Sequence, residues 1–269
     1  MKLTRSFASK VVAWSAAFAV ATGAVVLPAQ VANPGTAKAV RIKGAARYTT
    51  GDNRWHPLSE GDVLKAGAVI QTASNSQVDL LLSDREEPVA EPFTPALVYH
   101  PEAEARINLV RMYENTVLAV DKLTWMETGA DRITETQLDL RAGRIFGTVK
   151  KLSGASRYEV KIPNGVAGIR GTVFDLDVSG LIKVLVGLVI ESIAKPDGTV
   201  ATQVVKGGQM YNPATDRLTD IPNADINQMR LLARECGMGR RAPRSGFPHD
   251  WTIRWFSPKI GYYPNPIPR

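Results

Sequence analysis

From Val40 to Pro213 apolar and polar residues alternate in short runs broken by Gly, Asp, Asn or Pro. Alternation with a period of two is the mark of half-buried strands, and the breaks read as turns. The pattern is sharpest between Tyr158 and Val178. Tyr158, Val160 and Ile162 alternate with polar residues, and Pro163-Asn164-Gly165 punctuates the run. Phe174, Leu176 and Val178 then alternate with Asp175 and Asp177. This predicts two amphipathic strands with Gly168-Ile169-Arg170-Gly171-Thr172 between them. Two glycines around one arginine predict backbone that bends sharply or meets another segment closely. Further strands are predicted at 40–48, 63–70, 77–82, 110–123, 137–140, 144–151, 182–186, 188–193 and 200–205. Residues 182–193 are apolar on both faces, which suits the middle of a core. The cadence predicts an all-β fold of short, mostly antiparallel strands in two packed, sandwich-like layers.

Three segments depart from that cadence. Residues 1–39 combine a basic start (Met1–Lys10), an apolar run (Val11–Leu27) and a helix-breaking stretch ending in Ala37-Lys38-Ala39. This is the anatomy of a secretory signal, with Ala39 as the first candidate cleavage point and Ala29 as the second. The competing reading is an uncleaved anchor, since the run is at the lower edge of a membrane span. Residues 85–105 carry Pro88, Pro92, Pro95 and Pro101 among glutamates and read as an insertion loop. Residues 222–237 read as one helix: Asn223 caps it, Ile226, Met229 and Ala233 share a face, and Gly237 stops it. Residues 238–269 form a basic, aromatic arm. Its Trp251, Trp255, Tyr262 and Tyr263 pack on the domain or serve as binding residues.

Charge and composition narrow the function classes. The chain has 33 Lys and Arg against 26 Asp and Glu, but four of the basic residues lie in the leader. What remains is a weak argument for nucleic acid. Cys236 is the single cysteine, so no intrachain disulfide forms. His56, His100 and His249 lack metal-ligand spacing, and no metal or cofactor is expected. Asp175 and Asp177 read as the solvated face of a strand rather than as an acid–base pair. Gly165–Gly171 precedes a strand, not a helix, and so is not a phosphate loop. No catalytic motif emerges, and the protein is expected not to be an enzyme. Arg170 has two readings: an exposed partner or anion contact, or a guanidinium that hydrogen-bonds carbonyls or a carboxylate to fix the turn. The flanking glycines favour the second, with a melting temperature several degrees lower in Arg170→Ala.

The order of these features resembles the FecR protein domain, the ferric-citrate-regulator family of exported bacterial proteins. The resemblance runs from Val40–Gly44 through Trp55-His56-Pro57-Leu58, Glu60-Gly61-Asp62, Leu64–Thr72, Asn115–Leu118 and Leu138–Val149 to Gly208-Gln209. Its most specific part is Pro163 followed by Gly168, Arg170, Gly171 and Thr172 before an apolar strand. Only Met1–Lys10 precede the apolar run, so the cytoplasmic sigma-factor-binding segment of founding members has no counterpart expected here. The resemblance implies a non-enzymatic binding or regulatory module, periplasmic or otherwise envelope-associated, that works through an unidentified protein partner. The alternative is a structural envelope protein that binds a cell-wall polymer through the arm's aromatics. The predicted organisation is a leader over 1–39, a β domain over 40–221, a helix over 222–237 and an arm over 238–269.

Overall fold

In the computed structural model the described residues are 32–52, 54–83, 107–129, 131–195 and 197–238. The chain divides into two units, Met1–Val31 and Ala32–Arg269, and the described residues all belong to the second. The leader, the insertion and the aromatic arm therefore lie outside them, apart from the last residues of the predicted leader.

Among the described residues seventeen strands and one helix follow in order. The first seven are β1 (Asn33–Pro34), β2 (Thr36–Lys43), β3 (Ala46–Thr49), β4 (His56–Pro57), β5 (Val63–Leu64), β6 (Val69–Thr72) and β7 (Gln77–Ser83). Beyond the insertion come β8 (Leu109–Met112), β9 (Val117–Glu127), β10 (Arg132–Ala142), β11 (Arg144–Thr148) and β12 (Arg157–Ile162). Next are β13 (Gly165–Asp177), β14 (Ile182–Ala194), β15 (Val200–Lys206), β16 (Gln209–Asn212) and β17 (Arg217–Asp220), then α1 (Asn223–Met238).

The strands make one curled mixed sheet. A closed circuit runs β9–β10–β12–β13–β11–β8–β7–β2, each strand hydrogen-bonded to the next. It closes because β1 pairs with β9 while β2, one residue further on, pairs with β7. The pivot is Gly35, whose amide donates to the Leu123 carbonyl at 2.8 Å. A Cβ there would lie 2.6 Å from the Ser83 carbonyl, so only glycine fits between the two neighbours. All strand pairs are antiparallel except β10–β12, so the all-β, mainly antiparallel class read from the sequence holds, with its layers as walls of one sheet.

One finding changes the expected boundaries. Ala37 and Ala39 are fully buried in the core, and β2 pairs with β7 from Thr36 onward. A cut after Ala39 would remove the closing strand's buried half, so the folded body starts near Asn33 and not at Val40. The helix runs Asn223–Met238, one residue from the expected 222–237 at each end.

The core sits inside the curl. Leu80, Leu118, Leu138, Leu140, Val160, Phe174 and Val184 are among its fully buried members. A second, smaller cluster lies under α1, where Met229 and Cys236 cover Phe146, Val173 and Leu185. Ile226, Met229, Ala233 and Cys236 recur every three or four residues, so one helix stripe faces the sheet. Strands β8 and β11 thus bury apolar residues on both faces, Val110 and Ile145 in the main core and Leu109 and Phe146 in the helix-side cluster.

Candidate functional site

The stretch Gly168–Thr172, read as lying between two strands, is part of one strand of 13 residues, β13. Its register with β14 runs Arg170↔Leu188 and then Val173↔Val186. Gly171 and Thr172 therefore oppose Gly187 alone, which is a β-bulge. Gly171 has φ +60° and Gly187 φ +93°. A Cβ on Gly187 would stand 2.2 Å from the Gly171 carbonyl oxygen, so the two strands cross too closely for any side chain there. Thr172 is fully buried, exchanges both backbone bonds with Val149, and donates its hydroxyl to the Leu188 carbonyl at 3.2 Å. At this bulge β13 changes partners on its other edge, from β12 before it to β11 after it. The Arg-Gly-Thr tripeptide is thus the corner at which the sheet turns.

Arg170 stands on the outer side of that corner. Its side chain is exposed, and its Nη2 donates to the Gly154 carbonyl at 3.3 Å. The burial expected for its guanidinium is corrected, although its bond to a carbonyl is present: Ile169 beside it faces the core, so alternation along β13 turns Arg170 outward. Gly168 is not forced to be glycine either, since a Cβ there would make an ordinary 3.6 Å contact with the Ile190 carbonyl. Pro163 and Asn164 form the two-residue link of the β12–β13 hairpin, with Ile162 opposite Gly165. This hairpin borders a groove of about 560 Å³ that Asp121, Asp139, Lys161, Ser192 and Val200 also line. Lys161 and Asp121 pair within it at 2.9 Å. Trp251, Trp255, Tyr262 and Tyr263 lie outside the described residues.

Other sequence candidates are placed as follows. Asp175 is buried, not solvated, and binds Arg144 through both carboxylate oxygens. It faces the side of β13 that α1's cluster fills, where alternation does not mean exposure. Asp177 accepts bonds from the Ser179 and Leu181 amides and so caps the turn before β14. His56 lies in β4, half exposed and 3.4 Å from Asp52. Burial pushes the Cys236 thiol up to about 12, so it stays protonated and is no nucleophile at neutral pH. Among the described residues no group of three His, Cys, Asp or Glu is placed to hold a metal ion.

Two buried charged features escaped the sequence reading. Asp79 and Arg111 face each other directly across β7 and β8, and both are 1% exposed. Arg111 binds Asp79 through Nε at 2.7 Å and Nη2 at 2.9 Å, and reaches Glu235 of α1 through Nη1 at 2.9 Å. Burial opposes the guanidinium charge, but these bonds outweigh it and hold the group above its ordinary value. This ion pair anchors the helix to the sheet. Its signal was one charge of each sign set inside the apolar runs 78–82 and 107–112.

The second is Glu191, fully buried on β14 opposite Ala167, with no hydrogen-bond partner on either carboxylate oxygen. Burial, with a smaller contribution from Asp177, pushes it up to about 8. Burial thus favours its protonated, neutral form.

Residues 101–190 match the model of the family described as FecR protein. The match runs from before β8 through most of β14 and includes the Arg-Gly-Thr bulge. The resemblance read from the sequence holds over that stretch. No curated protein matches the chain. No solved structure matches it either. Among the described residues no helix is long and apolar enough to cross a membrane.

Proposed function

We propose that the protein is an exported, non-enzymatic binding module of the FecR type that regulates by contacting another protein of the envelope. The observation that supports this reading is the FecR match over 101–190, which falls on the contiguous strands that build one wall of the sheet and its corner. The leader composition supports export. Exposed Arg170 on the corner is a residue that a partner can reach, with five guanidinium donors and only one of them engaged in a weak bond.

The test is cross-linking in living cells followed by affinity capture and mass spectrometry. The tag belongs in the exposed turn at Gly51-Asp52, which leaves the closing strand β2 intact. Recovery of a specific envelope protein, reduced in an Arg170→Glu variant that still folds, is the expected result. Recovery of wall polymer fragments in place of a protein contradicts the reading and favours a structural envelope role.

A further inference from the structure

We propose that β15 is a self-pairing edge, through which two copies of this chain join their sheets about a two-fold axis at Thr202. The inference does not depend on the function proposed above. Among the described residues β15 pairs with β14 on one side and with no strand on the other. The Lys195 amide bonds the Thr199 carbonyl, and the Gly207 amide bonds the Gly187 carbonyl. With this register, Ala201, Gln203 and Val205 aim their backbone groups at β14, while Val200, Thr202 and Val204 aim theirs at the open edge. The pairing shows no register shift, and residues 200–205 contain no proline and no charge. Edges are normally blunted by such devices, and over this stretch the one visible cover is a 3.3 Å bond from the Gln203 amide to the Val204 carbonyl.

The sequence of the edge fits its own antiparallel copy. Centred on Thr202, Val200 of one copy lies opposite Val204 of the other, and all three positions present outward backbone groups. Val200 is 66% exposed, Val204 40%, and Ile190, directly across from Val204 on β14, 47%. Pairing lines these up as one apolar row spanning both copies, the cross-strand contact that stabilises sheets. Lys206 then falls opposite Gly198 of the other copy, beside that copy's exposed Asp197, so the ends of the seam are complementary in charge. No like charges meet.

The test is sedimentation equilibrium on the processed full-length protein and two variants. Thr202→Pro removes an amide that faces away from β14, so it costs no bond within the fold. The expected results are a wild-type dimer and a Thr202→Pro protein with an unchanged melting temperature but dimer affinity weaker by about tenfold or more. Thr202→Cys is expected to cross-link as a dimer under mild oxidation, since Cα atoms of facing strand residues stand about 5.5 Å apart. A monomeric wild type overturns the proposal, as does a dimer that Thr202→Pro leaves intact and Thr202→Cys does not lock. A monomer that dimerises only when residues 239–269 are deleted also overturns it, and assigns the edge to the chain's own arm.

Discussion

Single buried groups set the local energetics of this protein, and Glu191 is the most exposed to test by pH. Its carboxyl titrates near 8 in the fold against an ordinary 4.5. Between those values the folded state holds a proton that the unfolded state releases. Glu191 therefore favours folding least at high pH: stability falls as pH rises through that window, by up to about 1.4 kcal/mol per unit. Glu191→Gln removes this slope. Melting curves at pH 5, 7 and 9 are expected to show a variant whose advantage over wild type grows with pH, and parallel curves would refute the assignment. Arg111 and Arg170 make a paired comparison. Arg111→Met removes the two short bonds to buried Asp79, leaving it Arg41 at 3.6 Å, and is expected to lose about 3 kcal/mol in urea denaturation. Arg170→Ala gives up one exposed bond and is expected to stay within about 0.5 kcal/mol of wild type. The sequence favoured the opposite for Arg170, because glycines beside a charge suggest a buried turn as readily as an exposed bulge.

At the scale of elements, the bulge that joins β13 and β14 decides the shape of the sheet. Gly187→Ala forces a Cβ against the Gly171 carbonyl and puts alanine at positive φ, so it is expected to cost at least about 2 kcal/mol. Gly168→Ala, two residues before the Arg170 position, meets ordinary contacts and is expected to lie within about 0.5 kcal/mol of wild type. Thermal or chemical denaturation of the two variants separates a conformational requirement from mere glycine content; equal losses would contradict the bulge geometry. Strand positions were legible from alternation alone at Tyr158–Ile162 and Phe174–Leu176, and the helix from Asn223, Ile226 and Met229. The continuity of β13 through Gly168–Thr172 was not, because a bulge breaks alternation just as a turn does. Asp79–Arg111 was hidden for a different reason. Whether a charge in an apolar run is buried depends on what covers the outer face, and here that cover is α1 or a neighbouring strand far along the chain.

For the whole molecule, closure of the sheet depends on its first strands. β1 and β2 bridge β9 and β7, so a chain that begins at Val40 loses the closing contact, while one that begins near Ala29 or Gln30 keeps it. The order of features along the chain was enough to suggest the FecR domain and the all-β class. The circuit that closes the sheet was not legible, because pairing β1 with β9 and β2 with β7 joins segments that no local pattern connects. The measurement that tests an exported module with this closed sheet most directly is the intact mass of the protein recovered from the cell envelope, which fixes its first residue. An amino terminus between Pro28 and Ala32, with the leader removed, is the predicted result. A folded protein that begins at Val40 would contradict the closure through β1 and β2, and a chain recovered from the cytoplasm with Met1 in place would contradict export.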